Sequence, residues 1–181
     1  MHDIPIEQLK YPIGKFTVKR PISTKDNQSY INDIAALPAQ LQATVQGFSE
    51  EQFDTPYRPG GWTVRQVIHH LADSHINSYT RFKLALTENK PTIKPYMEDR
   101  WAELIDAKEA PVDLSLRLLE SIHSRWVMLL KNMSKEDLQK TFIHPEHGKE
   151  VPLDINVAIY SWHSRHHLAH INELKKRMNW W

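Results

Sequence analysis

The sequence predicts an all-α protein, a four-helix bundle, and three observations support that prediction. Glycine is scarce, at 5 of 181 residues. Four long segments carry apolar residues at every third or fourth position, which is the periodicity of an amphipathic helix. No Asn-Gly hairpin signal occurs between alternating apolar segments. Together these features favour helices packed on helices over a sheet architecture.

The bulk composition limits the classes of function. The length fits a single domain over residues 1–181, with no internal repeat. A formal net charge of +1 without a basic stripe argues against nucleic acid as a partner. The absence of cysteine excludes disulfides, thiolate metal ligands and a cysteine nucleophile. The start of the chain lacks the apolar region of a signal peptide, and no run of 18 apolar residues occurs, so we expect neither export nor a membrane span.

The first two bundle helices are marked by their apolar stripes and by one start signal. An irregular arm over residues 1–22 should precede a helix from about Asp26 to Phe48, which Pro38 should kink. Residues 49–61 are predicted to form a loop. The second helix should begin at the T-x-x-Q capping box of residues 63–66 and end near Thr87.

A long connection over residues 88–112 separates the second and third helices, and it should contain a short helix around residues 98–105. Connections of this length in a compact domain often carry function. We therefore expect the connection to form a lid or one wall of a pocket through Tyr96, Met97, Arg100 and Trp101.

The rest of the chain supplies two further bundle helices. The third should run from Asp113, as its N-cap, to about Met133 and be followed by a helical turn at Ser134. Residues 141–152 should form a loop or a small hairpin. The fourth helix is predicted from about Asp154 to Met178, with Tyr160 on its inner face.

The stretch SWHSRHHLAH in the fourth helix holds four of the eleven histidines of the chain. At about 100° per residue, His167 lies about 30° from the centre of the apolar stripe and His163 lies about 70° from it. His170 lies slightly further out, and His166, at about 130°, is predicted to face solvent. His163 and His167 stand one turn apart, so they can bind one metal ion from a single helix face. The alternative is that both are hydrogen-bonded core histidines.

A site of this kind needs a third ligand, and the second helix offers two histidines. His75 lies on the apolar stripe, whereas His70 lies beside it in a polar strip, and spacing alone leaves the choice open. His69 is predicted to point away. The polar strip also contains Ser74, Asn77 and Arg81. Together with Asp73 and Tyr160, these residues could support the ligands or line a pocket beside them.

Other polar residues near these histidines have two interpretations each. Asp73 could support a ligand through a hydrogen bond or be an ordinary solvated carboxylate. Arg81 could meet an anionic group of a substrate or form a surface ion pair. His123 is predicted to be a packed or rim histidine, and His144 and His147 to be loop residues.

The motifs GGWTVRQVIHHLADSH, NSYTRFKLAL and YSWHSRHHLAHINELKKRM closely resemble those of DinB-like four-helix proteins, and of the YfiT-type metal-dependent hydrolases among them. The resemblance extends to YPIGKF and DTPYRPGGW and covers nearly the whole chain. It implies one divalent metal ion, zinc or alternatively nickel, held by His70, His163 and His167. It also implies a four-helix bundle with a long crossover between helices two and three, a homodimer and a cytoplasmic location.

Three functions are compatible with such a site. In a hydrolase, the metal-bound water would be the nucleophile, and the sequence identifies no catalytic side chain beyond it. In a thiol S-transferase, the metal would hold the thiolate of a low-molecular-weight cosubstrate such as bacillithiol. A non-catalytic metal-binding stress-response protein is the third. The small-molecule substrate is not specified by any motif.

Overall fold

The computed structural model describes residues 4–146 and 148–181; His147 lies outside the described residues. The helices are α1 (Ile6–Lys10), α2 (Thr24–Val45), α3 (Glu50–Phe53), α4 (Val64–Thr87), α5 (Glu98–Trp101), α6 (Ile105–Glu109), α7 (Val112–Lys131), α8 (Lys135–Gln139) and α9 (Leu153–Met178). The strands are β1 (Thr141–His144) and β2 (Lys149–Pro152), which pair antiparallel as one hairpin.

The long helices α2, α4, α7 and α9 form the predicted four-helix bundle. The main helix-to-helix packing joins α2 to both α7 and α9, and α4 to the same two helices. The consecutive long helices α2 and α4 therefore lie diagonally across the bundle rather than side by side. No helix in residues 4–146 and 148–181 is long and apolar enough to cross a membrane.

Capping boxes mark the starts of α2, α3, α4 and α8. The predicted capping box of α4 is present: Gln66 N–H donates to Thr63 Oγ1 at 3.1 Å, and Thr63 N–H donates to Gln66 Oε1 at 2.9 Å. Ser23 and Asp26 form a second capping box at the start of α2, which runs through Pro38 without interruption. Ser134 caps α8 in the same way, at the predicted helical turn.

Four predicted boundaries need correction. Asp113 does not cap α7, because the helix starts at Val112 after Pro111 and Asp113 lies inside its first turn. The arm contains the short helix α1, and the loop of residues 49–61 contains α3, which has a capping box of its own at Ser49. The crossover holds two short helices, α5 and α6, where one was expected.

The crossover is held at both its ends and at its middle. Near its start, Ile93 N–H donates to the Ile143 carbonyl at 3.1 Å, beside the hairpin. In the middle, the Gln66 side-chain amide donates to the Ala102 carbonyl at 2.7 Å. Near its end, the Ala110 carbonyl accepts from Arg65 Nη1 at 3.1 Å. These anchors fix α5 relative to α4.

The core consists of two apolar clusters with a polar layer between them. One cluster includes Leu71 of α4, Leu119 of α7 and Ile171 of α9. The other cluster is formed at different positions on the same three helices and includes Phe82 of α4, Trp126 of α7 and Val157 of α9. Buried histidines and serines lie between these apolar positions along the helices: Ser74, His75 and Ser78 of α4, His123 of α7, and Ser164 and His167 of α9.

Candidate metal centre

Three histidines from two helices converge at the edge of the polar layer. His70 comes from α4, and His163 and His167 come from α9. One ring nitrogen of each lies within 4.8 Å of the others, so the three could hold a metal ion. Two imidazole ligands at a Zn–N distance of about 2.1 Å and a tetrahedral angle are about 3.4 Å apart. The 3.2 Å between Nε2 of His70 and Nε2 of His163 is close to that value.

The protein environment keeps these imidazoles neutral, which is the form that binds metal. Burial lowers the pKa of His70 to about 4, and repulsion from His170 adds to the shift. Burial also lowers the pKa of His163 and of His167 well below 6.5, with the neighbouring histidines as a second cause. All three rings therefore have a free lone pair at neutral pH.

Nδ1 of His167 is buried and has no hydrogen-bond partner in the described parts of the chain, as is also the case for Nδ1 of the neighbouring His166 and His170. A buried polar nitrogen without a partner is costly, and it usually marks a group that has another function. The donor set contains neither thiolate nor carboxylate, so it suits borderline divalent ions such as zinc, nickel, iron or copper.

Aromatic rings pack against the outer side of the three histidines. The Trp62 ring lies 4.6 Å from that of His70 and 6.4 Å from that of His167, between ring centroids. Trp62 precedes the capping box of α4, so the start of this helix fixes its position. The packing restricts rotation of both imidazoles.

The prediction that His166 faces solvent is wrong. His166 is 7% exposed, and its ring stacks on Trp162 with centroids 4.3 Å apart. The N-terminal arm covers it, because Tyr11 lies 5.9 Å from the His166 ring and the Lys10 carbonyl hydrogen-bonds Nε2 of His170 at 3.0 Å. Helix periodicity identifies the side of α9 that faces the bundle. It gives no information about a separate segment, here the N-terminal arm, that packs on the opposite side.

His69 also differs from its predicted position on an outward face. It is buried, with Nδ1 2.7 Å from Ser115 Oγ and Nε2 3.1 Å from the Ala110 carbonyl. The crossover and α7 cover it. His69 hydrogen-bonds to neither His70 nor the other two convergent histidines among the residues described.

His75, the alternative ligand from the sequence, lies behind the metal centre rather than in it. Its Nε2 is 3.1 Å from Nδ1 of His163, and its Nδ1 is 2.8 Å from Nε2 of His123. His123 Nδ1 is 2.7 Å from the Ile34 carbonyl. His123 is thus packed in the core, as predicted, and both residues contact the centre only through His163.

Two cavities open beside His163. One, of about 560 Å³, is lined by three residues of the predicted pocket, Ser74, Arg81 and Tyr160. The other, of about 500 Å³, lies on the side of His70 and His167. Both are bordered by His163 and by the α5 residues Glu98 and Asp99. Tyr96, Met97 and Arg100 also line the first cavity, so the crossover forms a wall of the pocket, as expected, whereas Trp101 lines neither of these two cavities.

Several of the predicted pocket residues are joined by hydrogen bonds. The Tyr160 hydroxyl lies 3.2 Å from both the hydroxyl and the carbonyl oxygen of Ser74. The side chain of Asn77 donates to the Asp73 carbonyl at 2.9 Å. No hydrogen bond joins Asp73 to His70 in the described part of the molecule; burial and the nearby Asp106 raise the pKa of the Asp73 carboxyl to about 6.

Sequence reasoning missed Glu98. Its carboxyl group borders both cavities, and desolvation, followed by repulsion from Asp99 and Glu146, raises its pKa above the ordinary value even though the residue is solvent-exposed overall. No motif spacing relates Glu98 to a histidine. Its proximity to the centre depends on how the crossover folds over α4.

Similar proteins match nearly the whole length of this chain. A protein of Bacillus cereus named "Putative metal-dependent hydrolase" is 57% identical over 175 residues, which are 97% of this chain and all of that protein. A Bacillus anthracis protein of the same name is 56% identical over the same extent. The solved structure of YfiT from Bacillus subtilis, described as a probable metal-dependent hydrolase with an unusual four-helix bundle topology, has a TM-score of 0.93 and 46% identity. That match covers 96% of this chain and 99% of the YfiT chain.

The family assignment rests on the whole bundle as well as on these relatives. The profile of the DinB superfamily matches residues 34–171, from the middle of α2 to the last turns of α9. All three convergent histidines lie inside the matched region. The chain therefore belongs to the DinB superfamily.

Proposed function

We propose that this protein is a metal-dependent hydrolase in which His70, His163 and His167 hold one divalent cation, zinc or alternatively nickel. One observation carries the proposal: three neutral imidazole nitrogens lie within 4.8 Å of one another, next to two solvent-accessible cavities. The names of the relatives, metal-dependent hydrolases, support the same reading.

The ligand set suits activation of water. A bound divalent cation supplies Lewis acidity and lowers the pKa of a coordinated water molecule toward about 7. Because the three histidines are neutral, they leave the positive charge of such a cation uncompensated. Three protein ligands also leave a coordination position open, which is the arrangement of catalytic rather than structural zinc sites.

The cavities indicate where a substrate would bind. The cavity with Ser74, Tyr160 and Arg81 begins at His163 and offers two hydroxyl groups and a guanidinium. Arg81 Nε is buried without a hydrogen-bond partner in the parts of the chain described. We propose that this guanidinium meets an anionic or strongly polar group of the substrate.

Glu98 is our proposed proton carrier. A carboxyl group with a raised pKa can hold and release a proton closer to neutral pH than an ordinary glutamate can. Glu98 borders both cavities beside His163, so it lies within the space that a substrate would occupy. Its replacement by glutamine should lower kcat more than it lowers metal affinity.

A comparison of metal-loaded and chelator-treated protein on chromogenic ester, amide and phosphoester substrates tests the proposal. We expect zinc-dependent turnover in the wild type and in His166→Ala, and loss of turnover in His163→Ala. A titration of the cobalt-loaded protein with bacillithiol provides the opposing test. A thiolate-to-cobalt absorption band that requires His163, together with no turnover of any substrate, would replace hydrolysis by thiol transfer.

The quaternary state and the location are implied by the family resemblance of the sequence. The homodimer, the small-molecule partner and the cytoplasmic location stay predictions. Sedimentation velocity of the purified protein measures the first of these directly.

A further inference from the structure

We infer that His75 and His123 are positioning residues, which together with the Ile34 carbonyl fix the tautomer of His163 so that its Nε2 lone pair faces the metal site. The inference rests on the proposed metal site. It assigns a role at that site to His75 and His123, which line neither of the two substrate cavities and would not bind the metal themselves.

A continuous chain of hydrogen bonds carries this inference. From the metal centre inward it runs from His163 Nδ1 to His75 Nε2 at 3.1 Å, and from His75 Nδ1 to His123 Nε2 at 2.8 Å. It ends with His123 Nδ1 at the Ile34 carbonyl oxygen, 2.7 Å away. The four residues come from α9, α4, α7 and α2, so every helix of the bundle contributes one member.

The Ile34 carbonyl at the inner end determines which nitrogen donates in each of these hydrogen bonds. A carbonyl oxygen only accepts hydrogen bonds, so His123 must donate to it from Nδ1–H. A neutral imidazole carries one N–H, and His123 Nε2 is therefore an acceptor for His75 Nδ1–H. By the same reasoning, His75 Nε2 accepts from His163 Nδ1–H. The remaining nitrogen of His163, Nε2, then has no proton and is free to bind a metal.

The surroundings keep the inner rings neutral and in place. His75 is 0% exposed and His123 2% exposed, and neither hydrogen-bonds to a carboxylate in the described residues. An unpaired charge at this depth would be costly, and burial lowers the pKa of His123 to about 4. The two rings stack with centroids 4.9 Å apart, and Trp126 packs edge-on against both.

The hydrogen-bond chain is important because the opposite tautomer of His163 would prevent metal binding. A proton on Nε2 of His163 would occupy the atom that faces His70, 3.2 Å away. Metal-bound histidines commonly donate their second N–H to an acceptor that fixes the ring, and loss of that acceptor typically weakens metal binding about 10- to 100-fold. Here the acceptor is itself a histidine, so a second histidine and a carbonyl are needed to orient it.

His123→Phe tests the inference, because it keeps an aromatic ring but removes both hydrogen bonds. His69→Phe is the matched control: His69 is also buried and also forms two side-chain hydrogen bonds, but its partners are Ser115 and the Ala110 carbonyl, which lie outside the hydrogen-bond chain that ends at His163. We expect His123→Phe to lower zinc affinity about 10- to 100-fold in a chelator competition and His69→Phe to leave it nearly unchanged. His123→Gln offers an amide donor and acceptor and should recover part of the affinity.

Nitrogen-15 NMR of the histidine side chains supplies a readout that needs neither metal nor turnover. In metal-free wild-type protein we expect His163 and His123 in the Nδ1–H form, and His123→Phe should mix the two forms of His163. A protonated Nε2 on His163 in the wild type would overturn the inference, as would equal loss of zinc affinity in His123→Phe and His69→Phe. If the wild type binds no zinc at all, the proposed function fails, whereas the NMR result still decides the tautomer.

Discussion

The metal-free protein should lose stability steeply in mild acid, because it buries many neutral histidines. Burial lowers the pKa of His70, His123 and His170 to about 4, and that of His166 to about 3. In the unfolded chain these residues have a pKa near 6.5. Between pH 6.5 and 4 the unfolded state therefore binds more protons than the native state. Stability from this source is complete above pH 6.5 and is lost as the pH falls toward 4.

The slope of the free energy of unfolding with pH follows from the number of protons that the unfolded state binds in excess of the native state. At pH 5 the four histidines add nearly four protons to the unfolded state. Asp73 acts in the opposite sense, because its raised pKa of about 6 means that the native state binds the extra proton in this range. For these five groups the net difference is about three protons, and each is worth about 1.4 kcal/mol per pH unit, so they contribute a slope of about 4 kcal/mol per pH unit. Burial also lowers the pKa of His69, His75, His163 and His167, which makes the slope steeper still. A domain has a total stability of only about 5–15 kcal/mol.

Urea unfolding of chelator-treated protein, followed by tryptophan fluorescence between pH 7.5 and 5, measures this slope. We expect the free energy of unfolding to be nearly constant above pH 7 and to fall steeply below pH 6. In His123→Phe the slope should be lower by about 1.4 kcal/mol per pH unit, because the unfolded state then binds about one proton fewer. A free energy of unfolding that is the same at pH 7 and pH 5 would refute the burial of neutral histidines on which this reasoning depends.

Two further predictions concern the framework around the site. Trp126→Ala should lower the free energy of unfolding by about 3–5 kcal/mol, because this 0% exposed ring is part of one core cluster. Urea unfolding measures the loss. Trp181 is 88% exposed, so Trp181→Ala is a control that should have little effect. Arg65→Met should cost about 2 kcal/mol, because the 5% exposed side chain joins α4 to Glu50 and Asp54 of the α3 region and to the Ala110 carbonyl. The control Arg117→Met removes only an exposed ion pair with Asp113, and equal losses in the two arginine variants would contradict the assigned role of Arg65.

Local signals in the sequence were enough to predict the bundle. The capping box at Thr63 and Gln66 placed the start of α4 correctly, and the apolar stripe gave its end at Thr87. Periodicity also selected His163 and His167, because these rings face the bundle whatever covers the helix on its other sides. The helical turn at Ser134 was also predicted, and the hairpin was one of the two alternatives for residues 141–152.

Contacts between segments distant in sequence could not be predicted in this way. His166 was assigned to solvent because helix geometry contains no information about the arm that folds over α9. His75 stayed an open alternative to His70 because its role depends on His123, 48 residues away, and on a carbonyl of α2. Glu98 was missed for the same reason, since the path of the crossover places it at the two cavities that His163 also lines.

The metal content of single-histidine variants tests the central claim most directly. The wild type, His70→Ala, His163→Ala and His166→Ala would be dialysed against zinc, freed of excess metal and measured by mass spectrometry. We predict one zinc ion per chain in the wild type and in His166→Ala, and almost none in His70→Ala and His163→Ala. Equal zinc content in all four proteins would contradict the assignment of the metal to the three convergent histidines.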